Sequence, residues 1–74
     1  MARVLHIFKG DHGAEALAVI TPQLAAGDHV DVAVLAGVQA PALPAGVTVH
    51  QVPQGASYER LAELIFTADH VVTW

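Results

Sequence analysis

The heptapeptide His29-Val30-Asp31-Val32-Ala33-Val34-Leu35 constrains the fold more than any other part of the chain. Side chains alternate across a strand, so Val30, Val32 and Val34 share one face. Ala33 and Leu35 keep the opposite face apolar as well. A strand apolar on both faces belongs inside a sheet covered on both sides, as parallel sheets are.

The flanking sequence supplies partners and covers. Residues 4–8 form a short apolar run rich in strand formers, stopped by Lys9-Gly10-Asp11. Residues 14–26 read as a helix with Leu17, Ile20 and Leu24 on one stripe and Gly27 as its C-terminal cap. Pro22 lacks a backbone donor and crowds the preceding turn, which predicts a kink or a break there. Residues 37–46 hold two prolines and no helical stripe, so they read as a loop. Residues 47–52 form a third strand, ended by Pro53. Ser57 is placed to cap a second helix, with Glu59 in its first turn and Tyr58, Leu61, Ile65 and Ala68 as its expected buried face. Residues 70–74 are a fourth strand.

The order β-α-β-β-α-β over a single domain, residues 1–74, predicts a small three-layer α/β fold around a four-stranded, mainly parallel sheet. Parallel units imply right-handed crossovers. With the second unit winding opposite to the first, the expected strand order is 2-1-3-4, with one helix on each face. Two helices are too few to cover both faces of four strands, so an apolar strip is expected to stay open on each face unless another subunit covers it.

Composition points the same way. A chain of 74 residues buries only about 60% of its unfolded surface, and small domains commonly need a staple or a partner. Cysteine is absent, which removes disulfides, thiolate metal sites and thiol nucleophiles. At 54% hydrophobic and 14% charged, the chain is expected to expose an apolar patch of the kind that marks interfaces. A homo-oligomer is therefore expected. The net charge is −4, with Arg3, Lys9 and Arg60 as the fixed cations, too few and too scattered to neutralise a nucleic-acid backbone. No apolar run approaches the roughly 18 to 20 residues of a membrane span, and the amino-terminal apolar run is too short for a signal peptide. The expected setting is the cytoplasm.

In a sheet of order 2-1-3-4 the winding reverses between the first and third strands, and ligands bind beyond the carboxyl ends at that point. Two loops would flank the crevice: Lys9-Gly10-Asp11-His12-Gly13 and the segment holding Gln54, Gly55 and Ser57. Each leads into a helix whose first amides can hold an anion. Two readings stand: a small-anion or nucleotide-phosphate pocket, or plain strand-to-helix turns. Neither a P-loop nor a GxGxxG fingerprint is present. Ser57 with His12 and Asp11 makes a weak hydrolase-like set, and no catalytic residue is assigned. The five histidines show no HxH or HExxH spacing and read as surface or interface residues, with no metal and no cofactor expected. Phe66 lies on the Glu59 and Glu63 side of its helix, and Trp74 is a large aromatic at a strand end. Both are candidate interface anchors.

Three stretches carry a family resemblance. SYERLAELIFTADHVVTW, residues 57–74, resembles the ending of DsrH (TusB) proteins of the DsrE/DsrF/DsrH sulfur-relay superfamily. RVLHIFKGDHGAEAL resembles that group's first strand and turn, and GDHVDVAVLAGVQA its second strand. The resemblance implies a small α/β fold that assembles with itself or with DsrE/DsrF-like subunits. Such assemblies pass persulfide sulfur, for example toward thiolation of the tRNA wobble uridine. This chain is shorter than its counterparts between the second and third strands and carries no cysteine. The resemblance thus leaves room for a non-catalytic subunit or scaffold, not for a persulfide carrier.

Overall fold

The computed structural model describes residues 2–10, 13–38 and 42–74. Its elements follow the expected order: β1 (Arg3–Phe8), α1 (Gly13–Ala25), β2 (His29–Leu35), β3 (Thr48–Val52), α2 (Tyr58–Thr67) and β4 (His70–Thr73). All neighbouring strands are parallel, and α1 and α2 lie on opposite faces of the sheet.

The strand order is β3-β2-β1-β4, which corrects the expected 2-1-3-4. The physical reason lies between β2 and β3. Val38, Leu43 and Val47 from that connection pack on the same apolar cluster as Ala16 and Ile20 of α1. A right-handed crossover that keeps to one face must keep moving the same way across the sheet. β3 therefore lands outside β2. The winding reverses one crossover later, when α2 carries the chain back over the opposite face to β4.

Two cores result. On the α1 face, Phe8, Val30, Val32 and Val34 bury against Ala16 and Ile20. On the α2 face, Leu5, Ala33 and Val52 bury against Leu64, with Leu61 and Ala68 beside it. β1 and β2 are the interior strands and are buried almost throughout, whereas β3 and β4 are edges and mostly exposed. Each face keeps an open strip, at opposite edges. Val49 of β3, in register with Val32, is exposed on the α1 side, and Val71 of β4, in register with Leu5, is exposed on the α2 side.

Both helices depart from the sequence reading in one respect. α1 runs unbroken through Pro22. The proline sits in its last turns, where few later bonds depend on it, and the helix closes in a Schellman arrangement. There Gly27 N–H donates to the Leu24 carbonyl (3.0 Å), Asp28 N–H donates to the Gln23 carbonyl (3.0 Å), and Gly27 takes φ 85°. α2 buries Leu64, with the expected Leu61 and Ala68 partly buried beside it, and leaves Tyr58 and Ile65 exposed. With Leu61, Leu64, Ile65 and Phe66 all apolar, two stripes were available. Leu64 decides between them because it joins the core cluster of Leu5, Ala33 and Val52.

Candidate functional site

The corrected strand order moves the candidate crevice. β2 lies between β1 and β3, so the loop after β1 and the loop after β3 do not border one switch point. Reversal occurs between β1 and β4. Lys9 follows β1 there, and its N–H donates to the Trp74 carbonyl (2.9 Å), while Trp74 N–H donates to the Ile7 carbonyl (2.7 Å). Lys9 and Gly10 flank this edge, and Gly13 opens α1. Asp11 and His12, the other expected members of that turn, lie outside the described residues.

The loop after β3 spends its amides internally. The N–H groups of Gly55 and Ala56 both donate to the Gln51 carbonyl, at 2.6 and 2.9 Å. Ser57 caps α2 as expected, its Oγ accepting from Arg60 N–H at 3.1 Å. Donors already paired in the protein are poor anion ligands, and Glu59 adds negative charge to the same helix start. Of the expected ligand residues, Gln54 borders a cavity, of about 80 Å³, at the carboxyl ends of β2 and β3. Leu35, Gly37 and Gln51 help to line it. That volume is of water or small-ion size.

Two polar constellations escaped the sequence reading. His6, mid-strand in β1, is fully buried and is no surface histidine. Trp74 Nε1 donates to His6 Nδ1 at 3.0 Å, with the two rings nearly parallel (14°) and their centroids 6.2 Å apart. An indole nitrogen can only donate, so Nδ1 must be the acceptor and Nε2 must carry the proton. Nε2 then donates to Gln23 Oε1 at 2.7 Å. This relay joins β4, β1 and α1. It also explains why a strand end holds a tryptophan firmly. Trp74 is thus engaged within the chain, while Phe66 remains 90% exposed.

The second constellation centres on Asp31, buried on the α2 face of β2. His29 Nε2 lies 3.3 Å from Oδ2, and His50 Nε2 lies 3.4 Å from Oδ1. His29 precedes Asp31 by two residues on its own strand, and His50 is in register with Ala33, two residues beyond it. The imidazoles therefore reach the carboxylate from opposite directions and take different oxygens. They do not converge on one point. Among the described residues, no group of three His, Cys, Asp or Glu could hold a metal ion. The cluster keeps a buried carboxylate partnered, and among the described residues no buried side-chain N or O is left without a partner. Alternation in β2 marked position 31 as inward-facing. A charged residue at an inward position was the available signal for such a cluster.

α2 also carries an exposed apolar surface. Tyr58 (62%), Ile65 (42%) and Phe66 (90%) stand out to solvent, together with Val71 (42%) of the neighbouring edge strand. Among the described residues no helix is long and apolar enough to cross a membrane. No protein-family model, no curated protein and no solved structure matches the chain.

Proposed function

We propose that the chain is a non-catalytic assembly subunit that acts by self-association through the exposed surface of α2. One observation carries this reading: an almost fully exposed Phe66 near the end of a helix whose other flank is already committed to the core. Single exposed apolar residues are ordinary, but an aromatic at 90% exposure beside Tyr58 and Ile65 forms a continuous patch. Folding covers almost none of Phe66 and leaves most of Tyr58 in solvent. A partner surface would cover both.

The likeness of residues 57–74 to DsrH endings favours a scaffold role in a cytoplasmic assembly of the DsrE/DsrF/DsrH kind. In such an assembly, any persulfide on its way to a tRNA wobble uridine would ride on a partner's cysteine, since this chain has none. The small-anion reading draws little support from a loop whose Gly55 and Ala56 amides are bonded to Gln51.

Light scattering over a dilution series tests the assembly reading. The expected result is a dimer or larger species at tens of micromolar, reduced to monomer by Phe66→Asp with no loss of folded signal by circular dichroism. Val19→Asp, on an exposed position of α1, should leave the mass unchanged. A wild-type monomer at every concentration would overturn the proposal.

A further inference from the structure

The exposed stripe on α2 has an internal order that identifies its partner. Tyr58, Ala62 and Phe66 are spaced four apart, so they form one ridge along the helix surface, and all three are exposed. A small residue sits at the centre with an aromatic on each side. Read from either end, the ridge is large-small-large. Such an arrangement is palindromic, so a two-fold axis at its centre maps the same patch onto itself, as an isologous contact between identical chains requires.

We infer that two copies of this chain pair through α2, crossing at Ala62. This rests on the assembly reading above and adds its geometry. A small side chain where the two ridges meet lets the helix axes approach to about 8 Å. With the two helices antiparallel, Tyr58 of each copy meets Phe66 of the other, and the helix dipoles oppose. Aromatic pairs of this kind prefer offset or edge-to-face contact, which a crossed geometry allows. The ridge itself carries no charge. Glu59 and Glu63 stay on one flank, where Arg60 already lies 3.3 Å from Glu63. Ile65 lies on the other flank and extends the apolar contact.

The size of the contact sets its strength. Fully covered aromatic side chains bury about 150 to 250 Å² each, so two Tyr58 and two Phe66 at their present exposures supply roughly 600 Å². Ala62 and Ile65 raise this toward the roughly 1,200 Å² at which stable interfaces begin. The pairing is a reversible dimer.

Because the chain has no cysteine, one introduced thiol reports position without background. Disulfides need Cα atoms within about 7 Å, which at a two-fold contact is met only next to the axis. Ala62→Cys under mild oxidation at tens of micromolar is expected to give several-fold more covalent dimer than Ala18→Cys on α1 or Thr73→Cys on the β4 edge. Equal yields from Ala62→Cys and Ala18→Cys, with a dimer that Phe66→Asp still reduces to monomer by light scattering, would overturn the crossing at Ala62 and leave assembly through the α2 surface standing. A dominant Thr73→Cys product would overturn both the crossing and the α2 surface, and place the contact on the sheet edge. A monomer in both measurements would remove both.

Discussion

The tripeptide Asp-His-Val leads into two of the strands, as Asp28-His29-Val30 before β2 and as Asp69-His70-Val71 before β4. Both aspartates perform the same task. Asp28 Oδ1 accepts from Ala2 N–H at 3.0 Å, and Asp69 Oδ2 accepts from Arg3 N–H at 2.8 Å, so the start of β1 is pinned from either side. Yet the two copies are offset by one residue against β1. His29 stands opposite Arg3, whereas His70 stands opposite Val4. A one-residue slip sends every side chain to the other face. Val30 therefore enters the α1-side core at 1% exposure, and Val71 emerges on the α2 side at 42%. Identical local sequence has opposite fates, decided by register and by which strand becomes an edge.

The sharpest way to break this comparison is to charge each valine in turn. Val30→Asp places a carboxylate among Phe8, Ile20 and Val32, where nothing compensates it. The expected loss exceeds about 4 kcal/mol, enough to unfold so small a domain. Val71→Asp leaves its charge in solvent, and a change within about 0.5 kcal/mol is expected. Urea denaturation of the two variants measures both. Similar losses would mean that β4 is covered as β2 is.

The sequence announced β2 more clearly than β4. Its valine alternation and second apolar face required an interior strand, and β2 is interior. The same signal argued against the order 2-1-3-4, which would have put β2 at an edge. What hid the true order was the connection after β2. Its covering residues Val38, Leu43 and Val47 are separated by prolines and follow no helical period, so they resembled a plain loop. The polar constellations were hidden for a different reason. His6 and Gln23 lie on β1 and α1 and Trp74 follows β4, and only the packing of α1 and β4 against β1 brings Gln23 and Trp74 within 3.0 Å of His6. The candidate loops were visible as loops, but whether their amides were free depended on the turn that returns Gly55 and Ala56 to Gln51. Phe66, by contrast, could be placed on the outer side of its helix by counting residues alone, because its two neighbours Glu59 and Glu63 are seven and three positions away.

A gentler perturbation acts on the part the two copies share. Asp28→Ala removes a charge-assisted bond in a half-buried setting, and about 1 kcal/mol of stability should go with it. Asp69→Ala removes the equivalent bond in an exposed one, where water replaces the acceptor, and about 0.5 kcal/mol is expected. Asparagine at either position keeps the acceptor and should restore most of the loss. If Asp69→Ala proved the costlier change, the carboxyl-terminal strand would be holding β1 in place more than β2 does.

The smallest expected difference separates the two histidines, and it is the one that tests the offset directly. His29 faces the α2 side, where Asp31 lies two residues on and 3.3 Å away. His70 faces the α1 side, opposite Val4. Much of the His29 ring is exposed, and His50 partners the same carboxylate, so His29→Ala should cost only about 0.5 kcal/mol. The size is less informative than its dependence on Asp31. In an Asp31→Asn background the effect of His29→Ala should shrink toward zero, whereas His70→Ala should behave alike in both backgrounds. A coupling between Asp31 and His70 instead would require both residues on one face. The one-residue offset between the two Asp-His-Val segments would then be wrong, and with it the reason that Val71 is left exposed.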